Sequence, residues 1–271
     1  MDRNAPVGVF DSGVGGLTVA REIMRQMPEE RIVYFGDTAR LPYGSKSQDT
    51  VIRYSRQIIR FLMSQDVKVI VIACNTASAY ALETVEKESA VPVVGVVNAG
   101  ARAAVSATRN GKIGVIGTEG TIRSGIYTEV MQQMKPDIEV TGKSCPLFVP
   151  LVEEGLLHDS ITDEIASRYL SVLKGRYIDT LVLGCTHYPL LRSTLGRLMG
   201  SEVTLVNPAY ETAIEVKKLL AERQMDCNRS SQADEKYRFY VSDLAEKFTA
   251  FATSILPNEV KETRKINIEE Y

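Results

Sequence analysis

Two cysteines of this 271-residue chain, Cys74 and Cys185, lie in segments that favour chemistry at sulfur. Each one ends an apolar run and is followed by small polar residues, in the segments IACNTAS at 72–78 and LGCTHYP at 183–189. Ser, Thr and Asn often begin helices, and a helix N-terminus lowers the pKa of an adjacent thiol from about 8.5, which favours the reactive thiolate. A single cysteine after such a run would be interpreted as a buried, inert side chain. The polar residues that follow both cysteines instead predict a pair of reactive thiols.

His187 lies two positions after Cys185 and is one of only 2 histidines in the chain. A side chain that titrates near neutrality can take a proton from a thiol or return it, so this spacing predicts a general acid–base role for His187. A zinc site needs at least three protein ligands, whereas Cys185 and His187 supply only a pair and the chain has no C-x-x-C motif. The other cysteines, Cys145 and Cys227, lack such neighbours and are interpreted as bystanders.

The thiols need a scaffold, and the chain alternates short aliphatic runs with longer amphipathic stretches. Runs without polar alternation indicate strands buried on both faces, and their alternation with helices indicates a parallel α/β sheet. The predicted strands cover 6–10, 31–35, 69–73, 93–97, 113–116, 138–140, 180–183, 203–206 and 237–241. The predicted helices cover 17–27, 47–65, 76–88, 121–134, 160–174, 210–223 and 243–256, the last with Leu244, Phe248, Phe251 and Ile255 on one face, and 224–236 is predicted to be a surface loop.

The chain also repeats itself weakly. Residues 7–16, VGVFDSGVGG, align with 113–122, IGVIGTEGTI, at an offset of 106, and 69–78, VIVIACNTAS, align with 180–189, TLVLGCTHYP, at an offset of 111. The alternative explanation is that all parallel α/β strands resemble one another, but two matches in the same order at similar offsets favour a real repeat. Two similar sheets would then face each other, each with one cysteine at the carboxyl end of a strand, where open α/β sheets bind ligands.

The glycine-rich segment 11–18, DSGVGGLT, follows a predicted strand and opens a helix. It does not match the dinucleotide fingerprint G-x-G-x-x-G, because Thr18 stands at the third glycine position and the carboxylate of Asp11 would repel a pyrophosphate. The segment 142–144, GKS, lacks the earlier glycine of a phosphate loop. We therefore predict no nucleotide cofactor, although backbone N–H groups of 11–18 suit a small carboxylate. Asp11 is predicted to serve Cys74 as an acid–base partner.

Composition narrows the class of partner. The chain has 32 Lys and Arg against 34 Asp and Glu, a formal charge of −2, without a long basic cluster, which argues against a nucleic-acid partner. No apolar run reaches the roughly 18 residues that span a bilayer, and the start MDRNAPVGVF lacks the features of a signal peptide, so we expect a soluble, cytoplasmic protein with no membrane partner. Its 4 cysteines are too sparse for a disulfide framework, as expected in a reducing compartment.

Five segments in matching order resemble the glutamate racemases, cofactor-independent members of the aspartate/glutamate racemase superfamily. They are DSGVGGLT at 11–18, GDTARLPYG at 36–44, ACNTAS at 73–78, CPLFVPLVEEG at 145–155 and GCTHYP at 184–189. The resemblance implies two pseudo-symmetric α/β domains with mainly parallel sheets flanked by helices and the active site between them. The domains would comprise 1–97 together with 208–271, and 98–207.

The resemblance also implies the activity, which is interconversion of L- and D-glutamate by transfer of the α-proton, without pyridoxal phosphate or metal, to supply D-glutamate for peptidoglycan. The catalytic cysteines fall on Cys74, which acts on the D-enantiomer, and Cys185, which acts on the L-enantiomer. Acidic and basic helpers fall on Asp11, Glu153 and His187, although pattern alone would place Glu153 in a solvated turn. Substrate contacts fall on Asp11, Ser12, Tyr43, Gly44, Asn75, Thr76, Thr118, Thr121, Thr186 and His187.

Two other functions stay open at this point. An aspartate racemase of the same superfamily would keep both cysteines and change the pocket, and turnover of aspartate against glutamate would separate the two. A thiol-based redox sensor or binding protein would instead form a disulfide between Cys74 and Cys185 on mild oxidation, without catalysis. The resemblance also suggests a homodimer, for which the apolar helix predicted at 243–256 is a candidate contact.

Overall fold

Two parallel β-sheets form the centre of the protein, which we describe from a computed structural model over residues 2–227 and 236–271. The first sheet has the strand order β10-β9-β2-β1-β3-β4, with β1 Val7–Asp11, β2 Ile32–Gly36, β3 Val69–Ile72, β4 Val93–Gly95, β9 Tyr237–Val241 and β10 Thr263–Lys265. The second has the order β6-β5-β7-β8, with β5 Lys112–Gly117, β6 Glu139–Ser144, β7 Thr180–Gly184 and β8 Thr204–Val206. Most of the predicted loop 224–236 lies outside the described residues.

Helices cover both faces of the first sheet, since apolar side chains on alternate positions of its strands form one core on each face. The α-helices of both halves, taken together over the described residues, are α1 Leu17–Gln26, α2 Gln48–Met63, α3 Asn75–Glu88, α4 Val96–Ala107, α5 Glu119–Ser124, α6 Ile126–Met134, α7 Phe148–Glu153, α8 Ser160–Lys174, α9 Arg192–Met199, α10 Pro208–Glu222 and α11 Ala245–Ile255. The predicted α/β class, with two mainly parallel sheets flanked by helices, is confirmed. No helix in the described part of the chain is long and apolar enough to cross a membrane.

The two sheets share one topology. In the first, the strands from β1 to β4 lie in the order β2-β1-β3-β4, and in the second, β5 to β8 lie in the equivalent order β6-β5-β7-β8. All these neighbours pair in parallel. Cys74 and Cys185 therefore follow equivalent strands, β3 and β7, each beside the first strand of its own sheet. The first sheet is extended by β9 and β10 from the C-terminal part; the predicted domain boundaries stay a prediction.

Several local predictions need correction. Val96 and Val97 were expected in a strand because valine favours β-structure, yet they begin α4, an alanine-rich helix that packs against α6 and α10. The helix predicted over 121–134 is two helices, α5 and α6, separated at Gly125, whose φ of 71° no helix accommodates. The pattern also missed α7, α9 and β10, which are short or contain few apolar residues.

Helix α11 begins later than predicted and uses its apolar face inside the chain. Leu244, expected on that face, precedes the helix in a left-handed conformation with φ 51° and is 58% exposed. Phe248 and Ile255 are buried in the core of the first sheet. These two side chains therefore pack inside the chain, and the dimer contact predicted for 243–256 stays a prediction.

One buried ion pair closes the end of the first sheet that lies away from the cysteines. The Lys68 side chain is 0% exposed, lies 2.6 Å from Glu30, and donates hydrogen bonds to the backbone oxygens of Arg3 and Met225. It thereby ties the first residues of the chain and the end of α10 to the turn before β3.

Replacing Lys68 with Met should lower the free energy of unfolding by about 3 kcal/mol or more, because Glu30 would stay buried without its cation. Urea denaturation of wild type and variant measures the difference. Lys87→Met is the matched control, since it breaks an equally short ion pair with Glu83 whose side chains are 71% and 85% exposed; it should cost less than about 1 kcal/mol. An equal loss in the free energy of unfolding for the two variants would contradict the expectation that a buried ion pair contributes more than an exposed one.

Candidate active site

Both cysteines line one cavity of about 300 Å³ between the carboxyl ends of the two sheets. The structure brings to its wall most of the predicted site residues, namely Ser12, Tyr43, Gly44, Cys74, Asn75, Thr76, Thr118, Glu153, Cys185, Thr186 and His187. Asp11 and Thr121 lie behind this wall and contact residues that form it. The sequence did not single out the remaining wall residues, Gly13, Leu41, Pro42, Val149 and Pro150. A larger cavity of about 820 Å³ lies elsewhere and contains neither cysteine.

Cys185, His187 and Glu153 form a chain of contacts on one side of the cavity. His187 Nδ1 lies 3.8 Å from Cys185 Sγ, and His187 Nε2 lies 3.1 Å from Glu153 Oε1. Burial lowers the pKa of His187, but the hydrogen bonds to Cys185 and Glu153 outweigh it and raise this pKa to about 10. His187 is therefore an imidazolium at neutral pH, and a cation at this distance stabilises a negative charge on the Cys185 sulfur.

Cys74 has the opposite surroundings. Its Sγ lies 3.6 Å from Ser12 Oγ, to which the thiol donates, and no cationic side chain contacts it among the described residues. Burial, followed by the negative charge of Asp11, raises the pKa of Cys74 to about 12. In this state Cys74 is a protonated thiol. The two cysteines thus have different surroundings: Cys74 is a thiol that can donate a proton, and Cys185 lies beside the cationic His187.

Asp11 is fully buried at the end of β1. Its Oδ2 accepts from the Gly13 backbone N–H at 2.9 Å, and its Oδ1 accepts from Thr186 Oγ1 at 3.5 Å. Burial raises the pKa of this carboxyl, and the charge of His187 opposes the rise. The contacts connect Asp11 to the residue after Cys185 and give it no hydrogen bond with Cys74. Its predicted role as the partner of Cys74 stays a prediction.

Three threonine hydroxyls meet across the cavity. Thr76 Oγ1 lies 2.8 Å from Thr118 Oγ1 and 3.2 Å from Thr121 Oγ1, and the last two are 3.0 Å apart. Thr76 belongs to α3, which follows the first sheet's strand β3, whereas Thr118 caps α5 after β5 of the second sheet. The cluster joins the two halves and can direct hydroxyl protons toward an anion.

The loop that carries Tyr43 and Gly44 is held from behind by Asp37. The buried Asp37 carboxylate accepts hydrogen bonds from Tyr43, from Arg40 at 2.8 Å and from Ser242 at 2.8 Å. Sequence reasoning did not assign a role to Asp37, although it lies within the motif GDTARLPYG.

At Gly15 the two halves are in close contact. A methyl group added to Gly15 would overlap Thr186 Oγ1 and lie 2.5 Å from His187 Nδ1. Next to it, Thr18 Oγ1 donates to the backbone oxygen of Thr186 at 3.0 Å. The turn after β1 therefore rests directly on the turn that carries Cys185, and only glycine leaves room for this contact.

Replacing Gly15 with Ala should lower kcat/KM by about 100-fold, since a displaced His187 or a widened cavity misplaces the reacting groups. Steady-state kinetics of the racemisation that the motif resemblance implies would measure the loss, and circular dichroism would verify folding. Gly196→Ala is the control, because its added methyl would lie 3.5 Å from Leu205, an ordinary contact, and it should retain wild-type kinetics. Full activity of Gly15→Ala would contradict the close docking of the two turns.

The described residues contain no group of three or more His, Cys, Asp or Glu placed to hold a metal ion. The fold and the cavity define an α/β protein in which two buried thiols from equivalent strands share one site.

Comparison with known proteins gives the family. Residues 15–214 match the model of the Asp/Glu/hydantoin racemase family. A glutamate racemase from Geobacter metallireducens is 47% identical over 97% of this chain and 97% of its own length. The crystal structure of a glutamate racemase from Bacillus anthracis superposes with a TM-score of 0.93 at 38% identity, covering 97% of this chain and 98% of the other. That of the Francisella tularensis glutamate racemase in complex with D-glutamate superposes with a TM-score of 0.92 at 37% identity, covering 99% and 100%. The chain belongs to the Asp/Glu/hydantoin racemase family and is an isomerase.

Proposed function

We propose that this protein interconverts L- and D-glutamate by a two-base mechanism in which Cys74 and Cys185 transfer the α-proton on opposite faces of the substrate. The observation that carries the proposal is the pair of thiols that reach one cavity from equivalent strands of two sheets. The identity of 47% to a glutamate racemase, and a related structure with D-glutamate bound, support glutamate as the substrate.

Two bases explain inversion by geometry. For L-glutamate, the Cys185 thiolate takes the α-proton, so that an S–H bond forms, the Cα–H bond breaks, and the electron pair stays on Cα and the carboxylate. Cys74 then donates its proton to the opposite face of Cα, which gives D-glutamate and leaves a Cys74 thiolate. The raised pKa of Cys74 and the imidazolium of His187 fit this starting state. The D-to-L direction runs the same steps in reverse.

The difficult step is formation of the carbanion, because an α-proton beside a carboxylate is very weakly acidic. The cavity offers neutral donors in Ser12, Asn75, Thr76, Thr118 and Thr186. Donors that are already oriented in a site with little water stabilise developing negative charge without reorganisation during the reaction. The side chains of Val149 and Pro150 help to exclude water from the same cavity.

The first test is incubation of purified, cofactor-free protein with pure L-glutamate or D-glutamate in D₂O. We expect optical rotation to decay to zero while the α-¹H NMR signal disappears. Parallel reactions with aspartate distinguish the aspartate racemase alternative. Mass spectrometry after alkylation under mild oxidation tests the redox alternative, which predicts a Cys74–Cys185 disulfide and no turnover. Failure of both glutamate enantiomers to racemise would overturn the proposal.

We further propose that the D-glutamate is used for peptidoglycan, that the enzyme works in the cytoplasm, and that it forms a homodimer. The family resemblance of the motifs supports all three, and the free thiols of Cys74 and Cys185 suit a reducing compartment. Depletion of the protein in its host should produce a growth requirement for D-glutamate. Light scattering coupled to size-exclusion chromatography would give the mass of the assembly.

A further inference from the structure

Tyr127 lies outside the motifs and outside the cavity wall, yet it contacts the turns of both cysteines. It is the second residue of α6, and its ring is 3% exposed within the core of the second sheet. Its hydroxyl donates to Asn75 Oδ1 at 2.7 Å, across the boundary between the two halves. Its Cε2 would lie 3.3 Å from a Cβ on Gly184. One ring therefore touches the residue after Cys74 and packs over the residue before Cys185.

This hydrogen bond favours one orientation of the Asn75 amide. Asn75 lines the cavity and is the first residue of α3. With Oδ1 occupied by the phenol, Nδ2 is the end left for the cavity, and it has no hydrogen-bond acceptor among the described residues. A carboxamide rotated by a half-turn would present its oxygen to the cavity and would leave the buried phenol proton without an acceptor among the described residues, since Asn75 Oδ1 is the one acceptor it has there. A substrate with two carboxylates needs donors, so the rotated amide would exchange an attraction for a repulsion.

We propose that Tyr127 is a positioning residue that locks the Asn75 amide with its N–H₂ group toward the substrate carboxylate. The inference rests on the proposed function, because it supposes an anionic substrate in this cavity. Burial, followed by the nearby charge of Cys185, raises the pKa of Tyr127, so the phenol keeps the proton that it donates. Asn75 directly follows Cys74, which places its donor beside the thiol that acts on Cα. Tyr127 itself does not touch the substrate.

The break between α5 and α6 makes this contact possible. Gly125, with φ of 71°, ends α5 and starts α6 in a new direction. An uninterrupted helix over 121–134 would carry Tyr127 along the axis of α5, whereas α6 packs against α4 and turns the phenol toward Asn75.

The test is a double-mutant cycle of Tyr127→Phe and Asn75→Ala, with kcat and KM measured for both enantiomers. Tyr127→Phe should lower kcat/KM by about 10- to 100-fold, the range of one hydrogen bond to a charged group. In the Asn75→Ala background the same change should cost less than about twofold, since the amide it orients is gone. An equal loss in both backgrounds would overturn the inference, because Tyr127 would then act through packing alone.

Tyr188→Phe is the matched control. Tyr188 is also fully buried in the second half, and its hydroxyl donates to the backbone oxygen of Cys145 at 2.8 Å, outside the cavity wall. The Tyr188→Phe variant should lose about as much free energy of unfolding as Tyr127→Phe, and its kcat/KM should stay within about twofold of wild type. A loss in Tyr188→Phe equal to that in Tyr127→Phe would also count against the inference.

A second readout does not depend on turnover. The side-chain amide signals of Asn75 in a ¹H–¹⁵N spectrum, assigned by their absence in Asn75→Ala, should shift in Tyr127→Phe and stay in place in Tyr188→Phe. Unmoved signals in Tyr127→Phe would overturn the positioning role even if activity fell. If wild type fails to racemise glutamate, the proposed function fails, and the amide signals still decide whether Tyr127 orients Asn75.

Discussion

Replacement of Cys185 by Ala should reduce racemisation of glutamate by about 1,000-fold or more, because one of the two proton-transfer groups is lost. Cys74→Ala should show a loss of similar size. The two variants should differ in the exchange that remains in D₂O. With Cys74 alone, only D-glutamate can lose its α-proton and regain a deuteron on the same face. With Cys185 alone, only L-glutamate can do so. NMR of each enantiomer measures this exchange without racemisation.

Cys145→Ala is the control for this pair, since Cys145 is a buried thiol that does not line the cavity. It should racemise at a rate within about twofold of wild type. Because the two enantiomers are equally stable in achiral solution, kcat/KM must be equal for both in every variant, which checks the assay. Full racemisation by Cys185→Ala would rule out the two-base mechanism.

Glu153→Gln should move the alkaline limb of the pH profile to lower pH. The pKa of His187 is about 10, above its ordinary value, because Cys185 and Glu153 stabilise the imidazolium. The imidazolium of His187 therefore persists up to that pH and is lost above it. An amide at position 153 cannot supply the negative charge, so the pKa of His187 should fall by about one unit or more. The decline of kcat/KM should then begin at a correspondingly lower pH.

The measurement is kcat/KM between pH 6 and 11, together with an NMR titration of His187. His158 is the only other histidine, so His158→Gln assigns the two resonances. Glu154→Gln is the control, because it makes the same change in charge at the next, exposed residue. It should leave the profile unchanged. If the limb and the resonance stay at wild-type positions in Glu153→Gln, the Glu153–His187 contact does not support the charge on His187.

Local sequence was sufficient to find the two thiols, because the end of a strand and the start of a helix are both encoded within a few residues. Cys74 and Cys185 follow that pattern, and the weak repeat correctly indicated sheets of equivalent topology. Glu153 shows the limit of such reasoning. Its neighbours suggest a solvated turn, and only the packing of α7 against the turn after β7 brings it to His187.

Contacts between distant parts of the chain account for the other differences between the sequence-based predictions and the structure. Asp11 was placed correctly at a strand end, yet its hydrogen bond to Thr186 spans 175 positions and has no local signal. Tyr127 was hidden in a predicted continuous helix because a single glycine did not outweigh the surrounding helical pattern. Helix α4 was missed because its first residues, Val96 and Val97, continue the valine run of β4, whereas its contacts with α6 and α10 involve distant parts of the chain.

The way in which the first sheet is completed has a consequence for biosynthesis. Strand β9 pairs with β2, and Ser242, directly after β9, donates to Asp37 behind the loop that carries Tyr43. Arg40 of the same loop also bonds to Glu269 at 3.0 Å. During translation, the thiols and their helices can leave the ribosome long before these partners exist. The wall formed by Tyr43 is therefore finished only after residues 237–271 have emerged from the ribosome.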